Sequence, residues 1–170
     1  MLLADLLFGR RTSQSQVSKS LGARRLALLV GITQFEDESW PGLKHARHDA
    51  RELGQLLADA QLGRFDAVEV LAAAGGSSLA QVEAALDRLT AQNTSRHDTV
   101  LVYFSTHGTL VRGPEGSLTR YLVTTDTDQK RIRATALPVH QLMQRFERLP
   151  SQRKVLVLAS CHSGRFPHRR

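Results

Sequence analysis

The stretch VLVYFSTHG, residues 100–108, decides the fold class of this 170-residue chain. Its first five residues are aliphatic or aromatic and carry no charge, which is typical of a strand buried on both faces of a parallel sheet. A second apolar run, VLVL at residues 155–158, leads into Ser160-Cys161-His162-Ser163-Gly164. We expect both runs to be parallel strands whose carboxyl ends lie at one edge of the sheet, where α/β proteins bind ligands. This arrangement would bring His107 close to Cys161.

The rest of the chain alternates strands with helices, as a parallel sheet with crossover helices requires. Strands are predicted at residues 26–32 and 67–71, and helices at residues 44–60, 79–92 and 137–149, with Pro138 in the first turn of the last helix. A turn and N-cap at residues 75–78 opens the second helix. Residues 109–112 and 119–123 are expected to form a hairpin. The pattern predicts one α/β domain.

A histidine and a cysteine at the ends of two strands can meet in space, and together they are the reacting groups of a cysteine protease. The histidine can hold the thiol near its thiolate form, which is the nucleophile. Cys161 is the only cysteine, so an intrachain disulfide is excluded and a reducing cytoplasm is expected. The alternative is that Cys161 is a buried structural thiol and His107 an ordinary residue at the end of a strand.

These motifs resemble the caspase-like family of cysteine peptidases (clan CD, peptidase family C14), most of all its bacterial metacaspase or orthocaspase branch. Residues 26–32, 43–50, 103–108 and 161–164 carry the resemblance, which extends over nearly all of residues 24–166. It implies a caspase-like three-layer α/β/α sandwich around a mostly parallel sheet. His107 would be the general base and Cys161 the nucleophile, with the N–H groups of Gly108 and Cys161 forming the oxyanion hole. His162 receives no catalytic role.

The resemblance also bears on specificity for the P1 residue, which precedes the cleaved bond. Metacaspases usually carry an acidic residue two positions before the cysteine, and Ala159 stands there. The other acid of the family's substrate pocket matches Asp49, for which the alternative is an exposed acid on a helix. We therefore expect a preference for Arg or Lys that Ala159 weakens. Caspases that cut after aspartate use an arginine where this chain has Leu43, so aspartate specificity is not expected.

We expect residues 1–23 to be a flexible lead, with a short amphipathic docking helix at residues 1–8 as the alternative. Residues 24–170 are expected to be a caspase-like peptidase domain that corresponds to the family's large-subunit part. The family's C-terminal part is not expected within the chain, since it stops six residues beyond Gly164. A homodimer or a C-terminal portion would then complete the edge of the sheet. An inactive partner-binding module, or a regulatory fragment of a larger signalling or defence protein, is the alternative to an enzyme.

The net charge of +7 raises the question of nucleic acid. The basic residues concentrate in the two tails, and the aromatic content of 5% provides no stacking platform. Residues 1–9 are too short to cross a bilayer and lack the pattern of a signal peptide. We therefore expect a cytoplasmic protein that acts on a protein or peptide substrate and binds neither nucleic acid nor membrane.

No cofactor is required for thiol chemistry, and no metal site is predicted. The Gly75-Gly76 pair lacks the Lys-Ser or Lys-Thr of a phosphate loop, and His45 and His48 lack a third ligand. Asp126 and Asp128 lack the spacing of a calcium-binding loop. Calcium stays an open alternative, because many metacaspases depend on it through acids in a later part of their fold.

Overall fold

The computed structural model describes residues 22–160, which form eleven elements. In chain order they are β1 (Arg25–Gly31), α1 (Ala46–Ala58), β2 (Ala67–Leu71), α2 (Leu79–Thr90), β3 (Thr99–Ser105), β4 (Gly108–Arg112), β5 (Leu118–Leu122), α3 (Ile132–Thr135), β6 (Leu137–Pro138), α4 (Val139–Glu147) and β7 (Arg153–Ala159). The expectation for residues 1–23 lies outside the described residues except at its last two positions. None of the helices between residues 22 and 160 combines the length and apolar character needed to cross a bilayer.

The main sheet has four parallel strands in the order β2-β1-β3-β7. A smaller antiparallel sheet, β4-β5-β6, follows directly from the end of β3. The predicted α/β fold around a parallel sheet is confirmed, and the predicted hairpin is β4 and β5. The crossovers bring the carboxyl ends of β1, β3 and β7 to the same edge of the sheet.

The core lies on both faces of the main sheet, which gives the predicted three layers. β1 alternates across the sheet, with Leu28 and Val30 on one face and Leu29 on the other, and all three are buried. The first face packs against α2 and α4, and the second against α1. Central strands of a parallel sheet are covered on both faces, so their sequence is continuously apolar rather than alternating.

Strand β7 departs from the expectation of a buried strand. Its residues alternate between exposed and half-buried, and Val155 and Val157 are 48% and 38% exposed. They pair with Leu101 and Tyr103, which lie on the face covered by α1. Among the described residues β7 is an edge strand beyond the part of the sheet over which α1 packs. A four-residue apolar run cannot reveal this, because it carries no alternation.

The last helix begins two residues later than predicted. Leu137 and Pro138 form β6 and pair with β5, and Pro138 is the N-cap of α4 rather than part of its first turn. At the other end, the ammonium of Lys154 donates to the carbonyl oxygens of Glu147 and Leu149, at 2.9 and 3.0 Å. These bonds satisfy carbonyls that have no partner within the helix. They join the end of α4 to β7.

A buried carboxylate joins the amino ends of β1 and β3. The side chain of Asp98 is 2% exposed and accepts hydrogen bonds from the backbone N–H groups of Arg24, at 2.8 Å, and Ser95, at 2.9 Å. The Arg24 guanidinium donates a third bond at 3.1 Å. Burial by itself would raise the pKa of Asp98, but these hydrogen bonds outweigh it and lower the pKa to about 2.

Candidate active site

His107 lies between the end of β3 and the start of β4, at the carboxyl edge of the main sheet. The chain is held on both sides of it. The backbone N–H of Ile32 donates to the carbonyl of Ser105 at 3.0 Å, and the Thr106 hydroxyl donates to the carbonyl of Val123 at 2.6 Å. Val123 in turn donates its N–H to the carbonyl of His107 at 2.9 Å. The backbone at His107 is therefore fixed by both sheets.

The imidazole of His107 is oriented by a backbone carbonyl. Its Nε2 lies 2.7 Å from the carbonyl oxygen of Pro41. A carbonyl oxygen can only accept, so this hydrogen bond assigns the proton of the neutral ring to Nε2. Nδ1 then carries the lone pair and is the basic nitrogen. The ring is thus held in one tautomer, which is what a general base requires.

Two aromatic rings flank the imidazole. The centroid of Phe35 lies 5.1 Å from that of His107 with the planes tilted by 41°, and the centroid of Trp40 lies 6.1 Å away with a tilt of 32°. Both rings come from the loop that connects β1 to α1. Flat apolar side chains next to an imidazole restrict its rotation and limit the access of water to it.

The segment that leads to Cys161 is β7. Cys161 itself lies outside the described residues, as does His162. The register of β3 and β7 is fixed along its whole length, with Tyr103 opposite Val157 and Ser105 opposite Ala159. The sequence predicted that the strands leading to His107 and to Cys161 end at the same edge of the sheet, and the structure adds that they are neighbours that end at the same level.

The chain matches the family of the caspase domain over residues 24–169. It belongs to this family of cysteine peptidases. No curated protein sequence matches it. The crystal structure of protein GSU0716 from Geobacter sulfurreducens is similar, with a TM-score of 0.62 and 20% sequence identity. That likeness covers 83% of this chain and 52% of the other, so the chain spans about half the length of the solved protein. At this identity the likeness bears on the fold alone.

In this caspase domain the other predicted site residues lie at the same edge of the sheet. Gly108 is buried and opens β4, opposite Leu122. Asp49 is exposed in the first turn of α1, and Ala159 is the exposed last residue of β7. Asp49 comes from the helix that follows β1, and Ala159 comes from β7, which pairs with β3 on the side away from β1. Whether these residues bind substrate stays a prediction.

The acids after the hairpin serve the fold of this caspase domain. One carboxylate oxygen of Asp126 accepts from the N–H of Leu79 and from the Thr124 hydroxyl, both at 2.8 Å. Asp128 accepts from the N–H of Lys130. Within residues 22–160, no three His, Cys, Asp or Glu side chains converge as ligands of a metal ion.

Sequence reasoning did not identify Phe35, Trp40 and Pro41 as part of the site. One signal was available, because Trp40 is the only tryptophan and stands next to a proline in a short loop after the first strand. A proline has no N–H, but its carbonyl remains an acceptor. Nothing in the sequence shows which donor that carbonyl will meet.

Proposed function

We propose that this chain is a cysteine endopeptidase in which His107 is the general base and Cys161 the nucleophile. The observation that carries the proposal is the hydrogen bond from Nε2 of His107 to the carbonyl of Pro41, at 2.7 Å. It leaves Nδ1 as the basic nitrogen at the edge of the sheet where β7 ends. A histidine with one nitrogen fixed by an acceptor and the other available for a proton is the arrangement that activates a thiol.

The short stretches of chain between the paired strand ends and the two residues support the pairing of His107 with Cys161. Neighbouring strands lie about 4.8 Å apart, and two residues of extended chain span at most about 7 Å. His107 and Cys161 each follow by two positions a residue of a register pair, Ser105 and Ala159. Two side chains that start from these positions can reach hydrogen-bond distance without any rearrangement of the sheet.

The reaction would proceed in two halves. Nδ1 of His107 takes the thiol proton, and the sulfur of Cys161 forms a bond to the carbonyl carbon of the substrate. The oxyanion is stabilised by the N–H groups of Gly108 and Cys161. Collapse breaks the C–N bond, the imidazolium returns its proton to the departing amine, and a thioester remains. His107 then deprotonates a water molecule, which attacks the thioester and releases the acid and the thiol.

For the substrate we propose a peptide with arginine or lysine at P1, bound less selectively than by relatives with two acids. Asp49 provides one carboxylate, and Ala159 leaves the second position uncharged. A single exposed carboxylate attracts a cation weakly, because water screens it. Selectivity for a basic over an uncharged P1 residue should therefore be modest, on the order of 10-fold. We also propose that the chain belongs to the metacaspase branch of the family and that it is located in the cytoplasm.

The test is hydrolysis of fluorogenic peptides that differ only at P1, by the full chain and by Cys161→Ala and His107→Ala, with and without calcium. Labelling of Cys161 by a peptide electrophile is followed by mass spectrometry. We expect either substitution to reduce kcat/KM by at least about 1,000-fold. Turnover that survives Cys161→Ala would refute the assignment of the nucleophile. If the wild-type chain neither hydrolyses peptides nor reacts with the electrophile, a partner-binding module is the better description.

A further inference from the structure

The loop that orients His107 is itself tied to another part of the domain. We call residues 33–43 the aromatic loop and residues 123–129 the threonine segment. The loop is closed at its base, where Leu43 donates its N–H to the carbonyl of Thr33 at 3.0 Å. Three further hydrogen bonds cross to the threonine segment: Glu36 N–H to Thr125 O at 2.8 Å, Trp40 Nε1–H to Thr127 O at 3.1 Å, and Gln129 N–H to Asp37 Oδ2 at 2.8 Å.

The threonine segment is a rigid support for these bonds. Thr124, Thr125 and Thr127 are buried, and Thr127 is completely so. The hydroxyls of Thr124 and Thr127 lie 2.9 Å apart, and the Thr127 hydroxyl donates to the carbonyl of Thr135 at 3.0 Å while the Thr124 hydroxyl donates to Asp126. At its start the segment holds the backbone of His107 through Val123. The same segment therefore supports the backbone of His107 directly and its imidazole through the aromatic loop.

Two side chains make two of these three hydrogen bonds. Trp40 contributes both a ring beside the imidazole and the indole N–H that reaches the threonine segment. Asp37 accepts from the backbone of Gln129 and also from Ser39 within its own loop, at 2.9 Å. These backbone bonds, Gln129 first, hold the pKa of Asp37 below its ordinary 3.8. Its carboxylate is therefore ionised throughout the neutral range, and the connection does not depend on pH there.

We propose that Asp37 and Trp40 are positioning residues that hold the Pro41 carbonyl against Nε2 of His107 and so fix the tautomer of the catalytic imidazole. The inference rests on the proposed function, in which His107 is the base. Pro41 lies one residue from Trp40, so a displacement of the indole moves the carbonyl with it. A misplacement of about 1 Å in a catalytic group can cost about 100-fold in rate.

The experiment uses the full chain labelled with nitrogen-15, and it records the correlation spectrum of the histidine rings. The ring of His107 is assigned by its loss in His107→Gln. The variants are Trp40→Phe, which keeps a ring but loses the indole N–H, and Asp37→Ala, which loses the acceptor. Asp37→Asn retains one oxygen, which can still accept from Gln129 but not also from Ser39, and is the conservative rescue of the bond between the two segments. Glu38→Ala is the matched control, because Glu38 is an exposed acid in the same loop. Peptide hydrolysis and thermal unfolding are measured on the same samples.

In the wild type and in Glu38→Ala we expect Nε2 to carry the proton and Nδ1 to be bare. In Trp40→Phe and Asp37→Ala the two nitrogen shifts should converge towards a mixture of tautomers. We expect kcat to fall by about 10-fold to 100-fold in these variants, and Asp37→Asn to stay within about 3-fold of the wild type. Each variant must keep a cooperative unfolding transition, and Trp40→Phe provides the test if Asp37→Ala does not fold.

An unchanged ring spectrum in both Trp40→Phe and Asp37→Ala would overturn the inference, even if the rate falls. A single tautomer with the proton on Nδ1 in the wild type would overturn it as well. Failure of the proposed function looks different, because the wild type would then neither hydrolyse peptides nor react with the electrophile. The ring spectrum needs no turnover, so it still decides whether Asp37 and Trp40 position the imidazole.

Discussion

Of the three glycines Gly31, Gly54 and Gly75, Gly31 should lose the most stability when it is replaced by alanine. Gly31 is the last residue of β1 and lies beneath the first turn of α1. An ideal Cβ there would lie 2.3 Å from the carbonyl oxygen of Ala46 and 2.7 Å from the Cβ of Ala50. Neither atom belongs to a flexible side chain, so the new methyl group can be accommodated only if the helix moves.

The size of the effect follows from that geometry. Carbon atoms in contact prefer a separation of about 3.5 Å or more, so α1 must retreat from β1 by roughly 1 Å. Overpacking of this kind typically costs about 1–3 kcal/mol, and a clash with backbone belongs at the upper end. We expect the free energy of unfolding to fall by about 3 kcal/mol in Gly31→Ala. The movement would also displace Asp49 in the first turn of the helix.

Two other glycines provide matched controls. A Cβ at Gly75 meets nothing within 4 Å, so Gly75→Ala should change stability by less than about 0.5 kcal/mol, or raise it slightly. A Cβ at Gly54 lies 2.7 Å from a methyl group of Val70, which is 37% exposed, and 3.3 Å from a methyl group of Leu29, so it meets side chains rather than backbone. Alanine within a helix gains about 1 kcal/mol over glycine, so for Gly54→Ala the two effects should nearly cancel.

The assay is urea unfolding of the three variants and the wild type at pH 7, followed by far-ultraviolet circular dichroism. Fluorescence of Trp40, the only tryptophan, reports separately on the site. We expect Gly75→Ala to be the most stable variant, Gly54→Ala to follow and Gly31→Ala to be the least stable. The dependence of the free energy of unfolding on urea concentration should be the same in all three. A Gly31→Ala value within about 0.5 kcal/mol of Gly75→Ala would refute the argument, since the contact of α1 with β1 would then not be close.

Three further outcomes are expected. The pKa of Asp98 is lowered from 3.8 to about 2. Its contribution of up to about 2 kcal/mol should be complete above about pH 5 and be lost progressively as the pH falls from there to about pH 1. Urea titrations at each pH should show no such dependence in Asp98→Asn. Ser78→Ala, which removes a capping box at the start of α2, should cost about 1 kcal/mol with an unchanged urea slope. Lys154→Met leaves two carbonyls at the end of α4 without their donor, and it should also lower the free energy of unfolding by about 1 kcal/mol. Amide hydrogen exchange should become faster in the last turn of α4, and an unchanged exchange rate would contradict the role of Lys154 as a cap.

Most strands and helices of the fold could be predicted from the sequence, because the patterns that indicate them are local. The limits of β2 agree with the prediction to the residue, and those of β1 and β3 to within one. The apolar runs of β1 and β3 end at Thr33 and Ser105, which marks their limits in the sequence. The short helix α3 was missed. Its four residues are too few to show a helical period, so no pattern could have indicated it.

The site was predictable only in part, for a related reason. The position of His107 follows from the end of β3, which the sequence locates. Its orientation depends on the carbonyl of Pro41, and a backbone carbonyl is present at every position of every sequence. The support from Asp37 and Trp40 joins residues that lie about 90 positions apart in the chain, a distance at which local patterns have no reach. The role of Cys161 stays a prediction.

The ladder between β3 and β7 bears on how such a domain can diverge. Backbone hydrogen bonds are the same whatever side chains the strands carry, so the spacing of the two strand ends does not depend on the residues around them. Under the proposed function, substitutions at positions such as Leu43 and Ala159 would alter the choice of substrate while the reaction itself is preserved. Selection could act on recognition and on chemistry almost independently, which would allow new targets to be acquired without an inactive intermediate.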